Sequence, residues 1–214
     1  KISSARVYVT ALGVYELFLN GEKVGDELFA PGWTSYNKRL QYQTYDVTSM
    51  LKNNNAFGAV LGDGWYRGNI GFRGQHSYYG DKLALLLQLK IDYADGTSEV
   101  IISDKNWTVL NGPILESDIY NGETYDARLE LTGWESVGFD NSTWGTVAEL
   151  DHPKDILVAP QGVPVKAIEE ITPIKMLTTP KGETVIDMGQ NLVGWVRLKV
   201  NGNNGDTVRV KFAE

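Results

Sequence analysis

A chain of 214 residues with 42% hydrophobic content and a formal charge of -7 can bury a substantial core, and its acidity argues against nucleic-acid phosphates or an anionic membrane surface as partners. With no Cys and only His76 and His152, disulfides and thiolate metal sites are excluded, and any metal would be a hard cation held by oxygens. The 11 Tyr, 6 Trp and 23 Gly favour strands and tight turns over long helices, so an all-β class is expected.

No apolar run reaches the ~18 residues that a membrane span needs, and no membrane insertion is expected. The opening KISSARVYVTALG has no signal-peptide pattern and enters a strand almost at once, as a chain trimmed at its start would. From Arg6 to Asn20, Val7, Val9, Tyr15, Leu17 and Leu19 recur at every second position, the period that puts side chains on one face of a strand. Asn20-Gly21 closes a turn, residues 22–29 return as a short strand, and Pro31-Gly32 breaks it before Trp33. Alternation resumes from Arg39 to Val47, and Asp46-Val47-Thr48 is placed to cap the turn that carries Met50 and Leu51.

Ala56 to Leu61 is apolar enough for a buried strand, and it runs into LGDGWYRGNIGFRGQHSYYGDK, residues 61–82. A Gly- and aromatic-rich stretch of this length is expected either to serve as a functional loop or to pack its own rings across one end of a sandwich. In LALLLQLKIDY, Leu85, Leu87, Leu89, Ile91 and Tyr93 face one way and Gln88, Lys90 and Asp92 the other; Asp95-Gly96 then turns the chain into Glu99–Ile102, a hairpin. Trp107 is expected on another short strand. Residues 113–128 crowd Glu116, Asp118, Asn121, Glu123 and Asp126 around Tyr120 and Tyr125, which reads either as a solvated loop rich in Asx turns or as a cradle for Ca²⁺. Three prolines in DHPKDILVAPQGVP, residues 151–164, mark a linker or a crossing strand. The expected organisation is a β-sandwich over 1–155, a linker over 156–164, and the start of a second β unit over 165–214. In that second unit Val185–Met188 forms a strand, and Leu192–Val200 pairs with Val208–Phe212 across the turn NGNNGD.

Little in the chain supports nucleophilic catalysis. His76 has no G-x-S-x-G elbow to serve, His152 stands beside Pro153, and LGDGWYRG lacks the Lys-Ser/Thr ending of a phosphate loop. A glycosidase needs two carboxylates about 5 to 10 Å apart, and 27 acidic residues give no means of choosing a pair. Flat rings do have a defined use, since they stack on sugar faces while polar neighbours bond the hydroxyls. The candidate sugar-binding residues are Trp65, Tyr66, Phe72, Tyr78 and Tyr79, with Arg67 and Asp81 as polar partners; the candidate calcium ligands are Asp118, Asn121 and Glu123.

Longer strings carry more. ARVYVTALGVYELFLNGEKVGDELFAPGWTSYNKRLQYQTYDVT, LGDGWYRGNIGF, YGDKLALLLQL and SDIYNGETYDAR resemble the amino-terminal β-sandwich of bacterial α-L-rhamnosidases of the inverting kind. VIDMGQNLVGWVRLKVNGNNGDTVRVKFAE, residues 185–214, resembles the opening of the next β domain of the same enzymes. The resemblance implies a jelly-roll sandwich of the galactose-binding-like type. It also implies a parent enzyme whose catalytic carboxylates lie in a later (α/α) barrel, so that this fragment is inactive by itself and needs no cofactor. The partners it implies are a rhamnose-containing glycan and the rest of the parent enzyme, in a periplasmic or secreted setting rather than the cytoplasm. A related sandwich in some of these enzymes is a rhamnose-binding module that uses calcium. Three roles therefore stand open for the chain: a non-catalytic part of a rhamnosidase, an autonomous carbohydrate-binding module, or a purely structural buttress for the barrel.

Overall fold

The structure, a computed structural model, describes residues 1–70 and 74–212. Its residues divide into two compact units, Lys1–Lys166 and Ala167–Glu214.

In the first unit the alternating opening is cut in two at Gly13. Strand β1 (Ile2–Leu12) ends there and β2 (Val14–Leu19) begins in a different sheet. Gly13 has φ +120, and a Cβ on it would lie 2.5 Å from the carbonyl oxygen of Gly62, so only glycine makes this corner. Asn20 (φ 56) and Gly21 (φ 87) then form the expected tight turn into β3 (Glu22–Lys23), followed by β4 (Glu27–Leu28), β5 (Leu40–Gln41) and β6 (Gln43–Asp46). At the end of β6 the Asp46 carboxylate accepts from the Thr48 backbone N–H at 2.9 Å and from its hydroxyl at 2.6 Å. This is an Asx turn.

Strand β7 (Phe57–Gly62) leads into the Gly-rich segment, which holds a single helical turn α1 (Gly64–Arg67) and the two-residue strands β8 (Asn69–Ile70) and β9 (Gln75–His76). The strongest pattern in the sequence is realised as β10 (Ala84–Tyr93) paired with β11 (Ser98–Ile102). Antiparallel strands in the order β11-β10-β1-β6 make one sheet, and β3-β2-β7 make the other. Val7 and Val9 of β1 stand opposite Leu89 and Leu87 of β10, and with Leu17 and Leu19 of β2 they form one buried cluster. Inward faces of two sheets sharing a core define an all-β sandwich.

Beyond β12 (Thr108–Val109), the segment expected as a solvated loop is a hairpin of β13 (Ile114–Asp118) and β14 (Gly122–Tyr125). Its register matches Glu116 with Thr124 and Ser117 with Glu123, so polar side chains occupy both faces and hide the strand period. Trp134 then packs edge-on against Phe18, with ring centroids 5.5 Å apart, before β15 (Gly145–Thr146).

The segment expected as a linker or a crossing strand is laid back on the sandwich. Strand β16 (Leu157–Val158) runs parallel to β5, and β17 (Val165–Lys166) runs antiparallel to β4, so that 157–166 forms a strap held at both ends. Lys166 also pairs with Asp26 at 2.7 Å.

The second unit contains the hairpin β18 (Lys175–Thr178) with β19 (Thr184–Asp187). The further hairpin expected from Leu192 to Phe212 is not formed as a ladder; the Asp206 N–H closes a turn on the Asn203 carbonyl, but the flanking residues make no strand pairing. Val200, Val208 and Phe212 stay exposed. Alternation alone does not hold two strands together in water unless something covers their apolar side.

Candidate functional site

On the first unit a surface cleft of about 240 Å³ is walled by residues 27–33, Gln41, Gln43, Trp65 and the strap residues Pro160 and Gly162–Val165. One wall of it is aromatic. The indoles of Trp33 and Trp65 lie parallel, with centroids 6.0 Å apart and 5° between planes, and Phe29 leans on Trp65 at 5.8 Å. Trp33 is 51% exposed and Phe29 46% exposed.

Several constraints fix this display. Phe29 sits at φ 56, a left-handed conformation that costs a bulky residue energy and often marks a functional position. The Ala30–Pro31 peptide is cis, and the Gly32 N–H closes the turn on the Phe29 carbonyl at 2.8 Å. Behind the turn Gln43 is buried; its Nε2 donates to the Pro31 carbonyl at 3.3 Å, while its Oε1 accepts from the Tyr15 hydroxyl at 3.0 Å. Burial pushes the Tyr15 phenol well above its ordinary range, with Tyr45 adding to the effect. Tyr15 therefore stays a hydrogen-bond donor to Gln43.

Below Trp33 lies a second small core. Tyr36 is 1% exposed and donates to the Gly32 carbonyl at 2.9 Å, and its ring meets Tyr66 and Tyr79 edge-on at 5.4 and 5.0 Å. Burial raises the Tyr36 phenol too, with Tyr79 contributing. Trp33 Nε1 donates to the Tyr79 hydroxyl at 3.3 Å, which ties the exposed indole to that core.

The structure separates the sequence-derived candidates into groups. Trp65 lines the cleft, and Tyr79 supports it through Trp33. Tyr66 is buried beneath Gly80, where a Cβ would fall 2.1 Å from its hydroxyl. Arg67 is held by Asp63 at 2.5 Å within α1. Tyr78 stacks edge-on upon Tyr79, and Asp81 is exposed outside the cleft lining. Phe72 lies outside the described residues.

The calcium candidates lie on the β13–β14 hairpin. The Asp118 carboxylate faces backbone donors: Oδ2 accepts from the Asn69 N–H at 2.6 Å, and Oδ1 from the N–H groups of Tyr120 and Asn121 at 2.8 Å each. Desolvation alone would raise its pKa, but these donors together hold it below the ordinary carboxylate value. Asp118 thus pins the β13–β14 turn to β8. Asn121 and Glu123 are exposed on the hairpin. Among the described residues, no three His or acidic side chains gather as a metal cluster.

Phe29, Trp33, Gln41 and Gln43 were missed as site residues. The one available signal was Pro31-Gly32-Trp33, a corner that places a large apolar ring directly after a turn.

The fold is that of an all-β sandwich module, and its parallel indole pair beside a cleft is an arrangement on which a ligand with a flat face can stack. Comparison with known proteins is specific. The α-L-rhamnosidase N-terminal domain matches residues 1–169, and the bacterial α-L-rhamnosidase concanavalin-like domain matches residues 177–214. The chain belongs to the α-L-rhamnosidase family. An α-L-rhamnosidase of Streptomyces avermitilis is 51% identical over the whole chain, and one of Formosa agariphila is 38% identical over the same span. The chain covers only 21% and 23% of those two proteins.

Solved structures agree with this. The native α-L-rhamnosidase from Aspergillus terreus superposes with a TM-score of 0.89 at 47% identity, over 91% of this chain and 23% of that one. The Streptomyces avermitilis enzyme complexed with L-rhamnose gives a TM-score of 0.84 at 47% identity, over 90% of this chain and 19% of that one.

Proposed function

We propose that the chain is the amino-terminal, non-catalytic part of an α-L-rhamnosidase that removes terminal α-L-rhamnose from glycosides or polysaccharides, and that its sandwich contributes a carbohydrate contact at the Phe29–Trp33–Trp65 cleft. The observation that carries the first half is the 51% identity to the Streptomyces avermitilis α-L-rhamnosidase over the entire chain, against only 21% of that protein's length. The second half is supported by the parallel indoles of exposed Trp33 and half-buried Trp65 and by Gln41, whose Nε2 lies 3.4 Å from where a Cβ on Gly32 would stand. An aromatic plane with an amide at its edge offers stacking and hydroxyl bonding together.

Two measurements test this. Release of 4-nitrophenol from its α-L-rhamnoside is expected from a protein extended to the length of its relatives and not from the 214-residue chain; turnover by the chain itself would overturn the non-catalytic assignment. Calorimetric titration of the chain with L-rhamnose is expected to show millimolar or tighter binding that Trp33→Ala weakens about tenfold, a loss of about 1.4 kcal/mol. Absence of heat at millimolar sugar would leave the sandwich as a structural support.

A further inference from the structure

Among the described residues that line the cleft, Glu27 is the sole ionisable one. Among the described residues no cation lies within ion-pair distance of its carboxylate. Glu27 Oε2 accepts from the Tyr45 hydroxyl at 3.3 Å, and the phenol, pushed up to about 12 chiefly by burial, stays a neutral donor. Near the cleft, Lys166 stands opposite Glu27 in the β17–β4 ladder and pairs with Asp26 at 2.7 Å, and the exposed Arg39 guanidinium donates to the neutral Gln161 of the strap at 2.9 Å. The remaining lining is aromatic, aliphatic, backbone or carboxamide.

From this arrangement we infer that the cleft is a charge filter, one that admits uncharged glycosides and rejects those carrying a carboxylate next to the sugar it holds, with Glu27 as the residue that sets the selection. The inference rests on the reading of the cleft as a carbohydrate contact. A sugar hydroxyl can donate to the free Glu27 oxygen, so a neutral ligand gains a charge-assisted hydrogen bond. A uronate instead brings a second negative charge into a volume of about 240 Å³, large enough for one sugar ring, so that even a carboxylate on the neighbouring residue falls within about a Debye length of Glu27. The formal charge of -7 over the whole chain adds to that repulsion at long range. Aromatic stacking does not compensate, because the ring face is itself electron-rich.

The test uses the whole chain and a matched pair of ligands: a disaccharide of α-L-rhamnose on D-galacturonic acid, and the methyl ester of the same disaccharide. The two differ only in charge. Isothermal titration at low salt is expected to give the ester at least about twofold the affinity of the acid, as a unit-charge repulsion at about 8 Å in water predicts, with the ratio shrinking at 0.5 M NaCl. In Glu27→Gln the amide can still accept from Tyr45, and the ratio is expected to fall toward one. Equal affinities in the unmodified chain, or a ratio that Glu27→Gln leaves unchanged, would overturn the charge filter while leaving the cleft a sugar site. Failure of both ligands to bind would overturn the sugar site and the filter with it.

Discussion

Gln43 shows how a single side chain positions the surface without belonging to its exposed part. It bridges the core phenol of Tyr15 and the Pro31 carbonyl, so its amide has little room to be replaced. Gln43→Leu leaves a buried hydroxyl and a buried carbonyl unpaired, and the expected cost is about 1–3 kcal/mol in urea denaturation. Asp118 gives a pH-dependent counterpart. Its pKa is lower in the folded chain than in the unfolded one, so its contribution is fully present above the ordinary value of about 3.9 and is lost as pH falls toward the folded pKa. Against Asp118→Asn, which turns an amide toward the Asn69 N–H, the native chain is expected to be more stable by about 1 kcal/mol at neutral pH, a figure discounted for its solvent exposure. Thermal midpoints measured from pH 7 to pH 3 should show that gap closing only below about pH 4; a gap that persisted at pH 3 would assign the effect to shape rather than charge. Neither role was legible beforehand. Gln43 has the residue type of any outward strand position, and among the carboxylates at 116–126 spacing does not reveal which backbone N–H groups will turn toward Asp118.

At the scale of elements, the long strands could be read directly and the short ones could not. Strand β10 alternates so regularly that Leu87 and Leu89 read as sharing one face; they are buried, 1% and 2% exposed, while Leu86, beside Leu87 on the opposite face, is 38% exposed. Leu89→Ala is expected to cost about 2–5 kcal/mol and Leu86→Ala less than about 1 kcal/mol, a contrast that chemical denaturation would check. The two-residue strands β4, β5, β16 and β17 owe their existence to partners far along the chain, Leu28 to Val165 and Leu40 to Leu157. Prolines at 153, 160 and 164 obscured that pairing and made the strap resemble a linker. The aromatic platform was half visible for a related reason. Trp65 stood out inside a Gly-rich loop, but Trp33 stood beside a turn that could serve architecture equally well, and only the folded sandwich brings the two indoles together. Gly58 marks another long-range fit, since a Cβ there would meet the Trp134 ring at 2.5 Å. Gly58→Ala should therefore destabilise the chain by about 1–3 kcal/mol through overpacking, although alanine suits a strand better than glycine does.

For the molecule as a whole, the two units differ in how their strands are held. In Lys1–Lys166 the strands β1, β2, β7 and β10 pack onto a shared core, with Val7, Leu19 and Val47 fully buried. In Ala167–Glu214 one four-residue hairpin carries the ladder, and Met176, Trp195 and Phe212 are 71%, 62% and 71% exposed. Backbone amides are protected when opening them requires a packed region to come apart, and those that face water exchange without that cost. Hydrogen–deuterium exchange of the 214-residue chain should therefore show two time regimes. Amides of Val7, Val9, Leu87 and Leu89, which lie in the β1–β10 ladder, are expected to exchange only through global opening and to slow as the sandwich is stabilised. Amides from residues 192–200 and 207–212, which make no ladder, should exchange within seconds and be indifferent to substitutions such as Leu89→Ala. Slow exchange in that segment would mean that the alternating run from Leu192 to Val200 does pair in solution, and that the hairpin implied by its pattern finds enough cover within these 214 residues to hold.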